Sequence, residues 1–197
     1  MKIISYLYFD KIDSTNTWVK EHAPVLSSIG LTCVVAKEQT AGHGRYQRPW
    51  LSVPGNLFAT LFFCLPKESH LLFPHLAQLL CLSCAKQLQK MGFKPEIKWP
   101  NDLIIQHKKL AGVLCELVDL KDRMGVALGI GINLNLPQEQ LDSINQPAIS
   151  LAQLSPKIYT PNEILEPLVD QFLQDLTLFL EQGFTPFNAS LQELLAQ

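Results

Sequence analysis

Between Gln39 and Trp50 the chain reads Gln-Thr-Ala-Gly-His-Gly-Arg-Tyr-Gln-Arg-Pro-Trp. Gly42 and Gly44 let a backbone take positive φ and approach a ligand closely. Arg45 and Arg48 bring permanent charge and forked donors suited to a carboxylate or phosphate. Tyr46 and Trp50 offer flat faces on which a base could stack. The same residues would also serve in an ordinary solvated hairpin loop. The Gly-x-Gly pair is not a dinucleotide fingerprint, because no helix opens after it and the third glycine is missing. Three later stretches are hard to explain as scaffold alone. Lys98-Trp-Pro-Asn-Asp102 gathers a cation, an amide and a carboxylate around a turn, and Lys109-Leu-Ala-Gly112 sets a lysine three residues before a glycine. Gly129-Ile-Gly-Ile-Asn133 places two glycines inside a strand-like run, where each weakens the strand unless something approaches the backbone.

The elements that must carry these residues follow from periodicity. Residues 2–9 read as a strand, and Asp13 to Asn16 supply N-caps for a helix to about His22. A loop from Pro24 to Gly30 leads to a strand at 31–38, then the arginine loop, then a nearly continuous apolar strand at 57–65. Leu76, Leu80, Cys84, Leu88 and Met91 form one helical stripe stopped by Gly92. Residues 94–99, 103–106, 110–118 and 124–132 form four short strands joined by tight polar turns, a meander that calls for a largely antiparallel sheet. Gly112, Gly129 and Gly131 then fall on neighbouring strands and suggest a groove across one face. Residues 136–149 are expected to be a mobile loop. Thr160-Pro-Asn-Glu163 is a capping box that opens a long helix with Ile164, Leu165, Leu168, Val169, Phe172, Leu173, Leu176, Phe179 and Leu180 in the core. Gly183 ends that helix, and a short helical tail follows Pro186. With no repeat or linker, the expectation is one α+β domain over 1–197.

Sixteen basic against eighteen acidic side chains, with no polybasic run, argue against a general nucleic-acid binder and for a small anionic ligand at a local basic loop. The apolar share of 47% suits a soluble globular chain with a sizeable core. Residues 71–84, the longest apolar region, are interrupted by Pro74, His75 and Gln78, so no membrane span is expected, and the start of the chain does not read as a signal peptide. The five cysteines lack framework spacing and point to reduced thiols in the cytoplasm. Cys81 and Cys84 have the spacing of a buried helix face, which weighs against a metal or redox pair.

Taken together, these stretches resemble the biotin–protein ligases. The match also includes Ser14-Thr15-Asn16, Glu116 and Ala148-Ile-Ser-Leu151, in the family's order over nearly the whole chain. The resemblance implies a mixed, largely antiparallel sheet packed by helices, related to lipoate ligases and class II aminoacyl-tRNA synthetases. It implies ATP-dependent activation of biotin as biotinyl-5'-AMP, then transfer to a lysine of a biotin carboxyl carrier domain. Arg45 and Lys109 resemble the catalytic cations. Ser14, Thr15, Asn16, Gln39, Gly42, His43, Lys109, Gly112 and Gly129 match the biotin side of the site. Arg45, Arg48, Trp50, Asn101, Lys109 and Asn133 match the ATP and adenylate side, with Trp50 stacking on adenine once the loop closes and Asp102 contacting Mg²⁺. Glu116 is either an ion-pair partner or an orienting group, the former preferred. Biotin, ATP and the carrier domain are the implied partners, with neither DNA nor membrane; a homodimer is allowed.

Many relatives read Gly-Arg-Gly-Arg-Arg-Gly-Arg in the loop, whereas His43, Tyr46 and Gln47 stand here. The lower charge predicts weaker retention of the adenylate. The chain also starts near the first strand and stops early, so neither the DNA-binding helix-turn-helix nor the small C-terminal β-barrel of longer relatives is expected. Two alternatives remain open: a lipoate or octanoate ligase or transferase on the same scaffold, and a non-catalytic biotin-binding module.

Overall fold

The computed structural model describes residues 4–27 and 30–196. Its strands are β1 (Ile4–Ile12), β2 (Leu31–Gln39), β3 (Leu57–Pro66), β4 (Glu96–Lys98), β5 (Asp102–Ile105), β6 (Lys108–Leu120) and β7 (Arg123–Ile132). They form one sheet in the order β1-β2-β3-β7-β6-β5-β4. β1 and β2 run parallel across helix α1 (Thr15–Leu26), and every other neighbouring pair is antiparallel. The meander expected from residue 94 onward is present. Residues 2 and 3, at the start of the strand expected over 2–9, lie outside the described residues.

Strand alternation divides the sheet into two unlike faces. Leu57, Ala59, Leu61 and Phe63 of β3, with Val126, Leu128 and Ile130 of β7, point into the larger core. That core is closed by α2 (Leu76–Lys90) and by α5 (Pro161–Gln182), which lies two short helices further on, after α3 (Gln138–Asp142) and α4 (Leu151–Leu154). Each fully buried Leu, Val or Phe there contributes about 1.5–3 kcal/mol before ordering entropy is subtracted. The opposite face carries Phe62 and Ala127, on which Val19, Ala23 and Leu26 of α1 rest. Further along this face are Phe58, Thr60, Gly129 and Gly131. Thr15 and Asn16 at the start of α1 reach Thr60 and Gly129, and beyond them the face is left to the loop after β2.

Several local expectations are corrected. α1 does not stop at His22 but runs through Pro24 to Leu26. Proline in a helix interior costs about 3 kcal/mol. Here it falls in the last turn, and Ala23 and Leu26 are buried on either side of it. Met91 is 39% exposed and Leu180 38%, so neither belongs to its helix's buried stripe. Residues 136–149 were expected to be a mobile loop, yet Leu136, Leu141 and Ile149 are buried. Lys109 N–H donates to the Pro147 carbonyl at 2.9 Å, and Ile149 N–H to that of Lys109 at 3.0 Å, so the segment's end is laid against β6. The capping box forms as expected, with Thr160 and Glu163 exchanging bonds ahead of α5, and Gly183 ends it at φ 67°. A last helix, α6 (Asn188–Leu194), follows Pro186.

Candidate active site

On the open face, strand register sets two rows of residues side by side. Thr60, Gly129 and Leu114 are Cα partners across β3, β7 and β6; the next row is Phe58, Gly131, Gly112 and Asp102, reaching β5. Three bare positions in two rows make a trough. The arginine loop, residues 98–102 and residues 143–146 wall it, and it encloses about 1230 Å³. That exceeds the roughly 300–1,000 Å³ typical of one small-ligand pocket.

Each bare position is needed by a neighbouring side chain. A Cβ on Gly129 would stand 2.2 Å from Asn16 Oδ1, and one on Gly131 2.6 Å from Trp50 Nε1 and Cε2. One on Gly112 would stand 3.1 Å from Trp50 Cζ3 and 3.2 Å from Lys109 Cε. At Gly42 a Cβ would meet Ser52 Oγ at 2.3 Å, at the root of the arginine loop.

One end of the trough is neutral and hydrogen-bonded. Ser14 caps α1, its Oγ accepting from Thr17 N–H at 3.4 Å. Thr15 N–H donates to Gln39 Oε1 at 2.8 Å, while Gln39 Nε2 donates to Ser52 Oγ at 2.9 Å and Ser52 in turn to the Trp50 carbonyl at 2.9 Å. Behind them Asn16 Nδ2 donates to Glu116 Oε2 at 3.0 Å, and Lys20 Nζ sits 2.7 Å from Glu116 Oε1. Burial alone would raise the Glu116 carboxyl, but bonds from Lys20 and Asn16 and the Lys20 charge overcome it and hold the group below its ordinary value. Glu116 therefore combines the ion pair and the orienting role.

The other end is charged. Lys109 Nζ lies 2.9 Å from Asp102 Oδ1 and 5.2 Å above the Trp50 ring. Arg45 Nη1 donates to Asn101 Oδ1 at 3.4 Å and Nη2 to the Tyr46 hydroxyl at 3.2 Å. Arg48 stands 5.8 Å from the same tyrosine ring. Asn101, next to the cis Trp99–Pro100 peptide, pairs with both backbone groups of Val113: its Nδ2 reaches the carbonyl at 2.7 Å and its own carbonyl accepts the N–H at 2.8 Å. Asn101 so extends the ladder of β6 past β5 and holds the turn beside Arg45. The arrangement offers two cations a short way from a polar, partly buried recess, suited to an acid meeting a phosphate.

Fourteen of the fifteen site residues expected from sequence line this trough: Ser14, Thr15, Asn16, Gln39, Gly42, His43, Arg45, Arg48, Trp50, Asn101, Asp102, Lys109, Gly112 and Gly129. Asn133 does not. Its Nδ2 donates to the carbonyls of Lys109 (3.4 Å) and Ile149 (3.2 Å), clamping residues 109 and 149 together, and it lines a small adjoining recess with Trp50 and Lys109. Trp50 packs on the bare positions of β7 and β6, with the Lys109 ammonium 5.2 Å from its ring centre. His43 Nδ1 lies 3.1 Å from the Ala41 carbonyl, and its Nε2 is buried without a partner among the described residues. Burial pushes the Cys33, Cys84 and Cys115 thiols up to about 12 and Cys81 well above its usual range, which keeps them from acting as thiolates.

Residues 8–133 match the biotin/lipoate A/B protein ligase family. The chain belongs to this family. It is 33% identical over 185 residues to the bifunctional ligase/repressor BirA of Bacillus spizizenii, covering 92% of this chain and 57% of that protein. It is 31% identical over 184 residues to the biotin–[acetyl-CoA-carboxylase] ligase of Paracoccus denitrificans, covering 90% and 75%. The biotin protein ligase of Aquifex aeolicus, solved in complex with biotin and ATP, superposes with a TM-score of 0.81 at 31% identity, covering 97% of this chain and 78% of that one. The chain thus spans little more than half the length of the BirA relative.

Within this ligase-family fold, sequence reading missed Ser52, Thr60 and Lys20. Thr60 carried a signal: it is the sole polar side chain between Leu57 and Leu65. Ser52 and Lys20 carried none, since a serine in a loop and a lysine on a helix are ordinary.

Proposed function

We propose that residues 1–197 act as the catalytic unit of a biotin–protein ligase. Biotin's carboxylate oxygen attacks the α-phosphorus of ATP, the bond to the β-phosphate oxygen breaks, and pyrophosphate leaves. The amine of a carrier-domain lysine then attacks the carbonyl carbon of the mixed anhydride, AMP departs, and the amine gives up a proton. The observation that carries this proposal is the single trough joining a neutral donor–acceptor end at Ser14, Thr15 and Gln39 to a cationic end at Lys109 and Arg45. A ring urea needs the first and two approaching anions need the second, and the trough has volume for both ligands. That the Aquifex relative was solved in complex with biotin and ATP supports pairing these two ligands.

In this mechanism Lys109 neutralises the carboxylate and the α-phosphate, and Arg45 holds the phosphate side with Asn101 and Arg48 nearby. Asp102 offers the one carboxylate among these residues, and one of its oxygens is already paired with Lys109. That donor set fits a Mg²⁺ carried in on nucleotide phosphates, which would supply charge neutralisation there, rather than one held by the protein alone. Five unpaired thiols favour a reducing, cytoplasmic setting.

The deciding assay is ATP–pyrophosphate exchange with biotin, lipoate and octanoate side by side, followed by transfer of labelled biotin to a biotin carboxyl carrier domain. Biotin-dependent exchange that Arg45→Ala and Lys109→Ala each reduce by a hundredfold or more is expected, on the order of one lost transition-state contact. Exchange with lipoate or octanoate but not biotin would refute it, as would tight biotin binding with no exchange.

A further inference from the structure

β3 is apolar from Leu57 to Leu65 except for Thr60, which is completely buried and is not itself a wall of the trough. Its hydroxyl lies 2.6 Å from Asn16 Oδ1 and 2.8 Å from Thr15 Oγ1. Which way each proton points follows from the partners. Asn16 Nδ2 faces the Glu116 carboxylate (3.0 Å) and the Leu114 carbonyl (3.4 Å), both acceptors, so Asn16 turns its oxygen to Thr60. That oxygen can only accept, so the one Thr60 proton goes to it. Thr60 Oγ1 is then an acceptor toward Thr15. Thr15 has two acceptors inside the protein, Thr60 at 2.8 Å and Gln39 Oε1 at 3.1 Å, and its proton is held away from the trough. Gln39 cannot reverse its amide, because its oxygen takes Thr15 N–H and its nitrogen feeds Ser52. Thr15 therefore presents a lone pair to the ligand. Beside it, Ser14 accepts from Thr17 N–H and has no acceptor for its own proton among the described residues, so it presents a donor.

We infer that Thr60, through Asn16 and Thr15, is a positioning residue that sets the donor–acceptor sense of the ligand's polar end, selecting acids whose ring carries an N–H beside a carbonyl. The inference rests on the proposed biotin reading and adds to it a buried residue that, together with Gln39, fixes the selectivity. Lys20 and Glu116 anchor the far end of the same chain of bonds. The hydroxyl at position 60 acts without touching the ligand.

The test measures equilibrium binding by calorimetry, without ATP, for three acids: biotin, desthiobiotin, which keeps the ring urea, and tetrahydrothiophene pentanoic acid, which lacks it. Thr60→Val removes the hydroxyl at constant shape, and Thr60→Ser keeps it. Thr60→Val is expected to weaken both urea acids about tenfold, the size of one buried hydrogen bond left unmade, and to leave the urea-free acid, followed by displacement at high concentration, unchanged. Thr60→Ser should restore binding to within about threefold of the parent. Thr60→Ala replaces the valine variant if the latter melts too low to titrate. Equal weakening of all three acids would show a merely structural residue and overturn the inference, as would a valine variant that binds biotin like the parent. Should the parent protein itself fail to bind biotin, the proposed function falls and takes this inference with it.

Discussion

Gly131→Ala puts the trough to its sharpest test. The added methyl would stand 2.6 Å from Trp50 Nε1 and Cε2 and 2.9 Å from Cζ2. Carbon atoms rest at about 3.5–4.0 Å, so the indole must retreat by roughly 1 Å from β7. It cannot do so freely: the Trp50 backbone N–H is bonded to the Gly42 carbonyl at 2.9 Å, its carbonyl accepts from Ser52, and the Lys109 ammonium lies 5.2 Å from its ring centre. Overpacking of this kind costs about 1–3 kcal/mol, and for a chain of this length that lowers the melting temperature by roughly 2–12 °C. The functional loss should be larger, because a displacement of about 1 Å in a group that positions reactants can cost about a hundredfold. The assay is a thermal melt together with biotin-dependent pyrophosphate exchange on Gly131→Ala, Trp50→Ala and the double variant. Once the indole is gone the methyl has nothing to strike, so the double variant should be no less stable than Trp50→Ala, giving a coupling of at least about 1 kcal/mol. Gly44→Ala is the control on the same loop, since its nearest neighbour is 4.0 Å away, and it should melt like the parent. If Gly131→Ala melts like the parent, or the two substitutions add without coupling, the packing of Trp50 on a glycine floor is wrong.

Other consequences follow from single features. Gln47 holds φ 58°, a left-handed conformation that costs a non-glycine residue about 1–2 kcal/mol, partly offset by glycine's greater unfolded freedom. Gln47→Gly should therefore gain about 0.5–1 kcal/mol in urea unfolding, and an unchanged or lower midpoint would mean that the glutamine is not strained. The Glu116 carboxyl is held below its ordinary value, so its stabilisation is complete above the unfolded value near 4.5 and fades as pH falls through the lower folded one. The gap in melting temperature between the parent and Glu116→Gln should accordingly be widest near pH 6–7 and narrow below about pH 4. A gap that widens on acidification would reverse the assigned sign; Lys20 and His43 are the charged or titratable neighbours to track.

The sequence alone determined the parts of this protein that depend on local chemistry. Alternation and tight polar turns give the four-strand meander, because a strand's faces repeat every second residue. Thr160 and Glu163 give the start of α5, because a capping box is satisfied within four residues. The glycines at 112, 129 and 131 announced a groove, because a strand interior loses stability at each one unless something lies close. Tertiary structure alone decided what lies close. Asn16 over Gly129 and Trp50 over Gly131 are contacts across 113 and 81 positions of chain, brought about by strand register and the seating of α1. The same holds for Asn133, whose amide nitrogen is taken up by the segment around Ile149, a partner that its local motif does not announce. Pro24 and the anchored segment before Ile149 were misjudged for a related reason: proline and polar composition speak for local breaks, and burial of Leu26, Leu136 and Leu141 outweighed them. The direction of the hydrogen bonds around Thr60 was beyond any sequence pattern, because a hydroxyl's proton is assigned only by the partners that the whole fold sets around it.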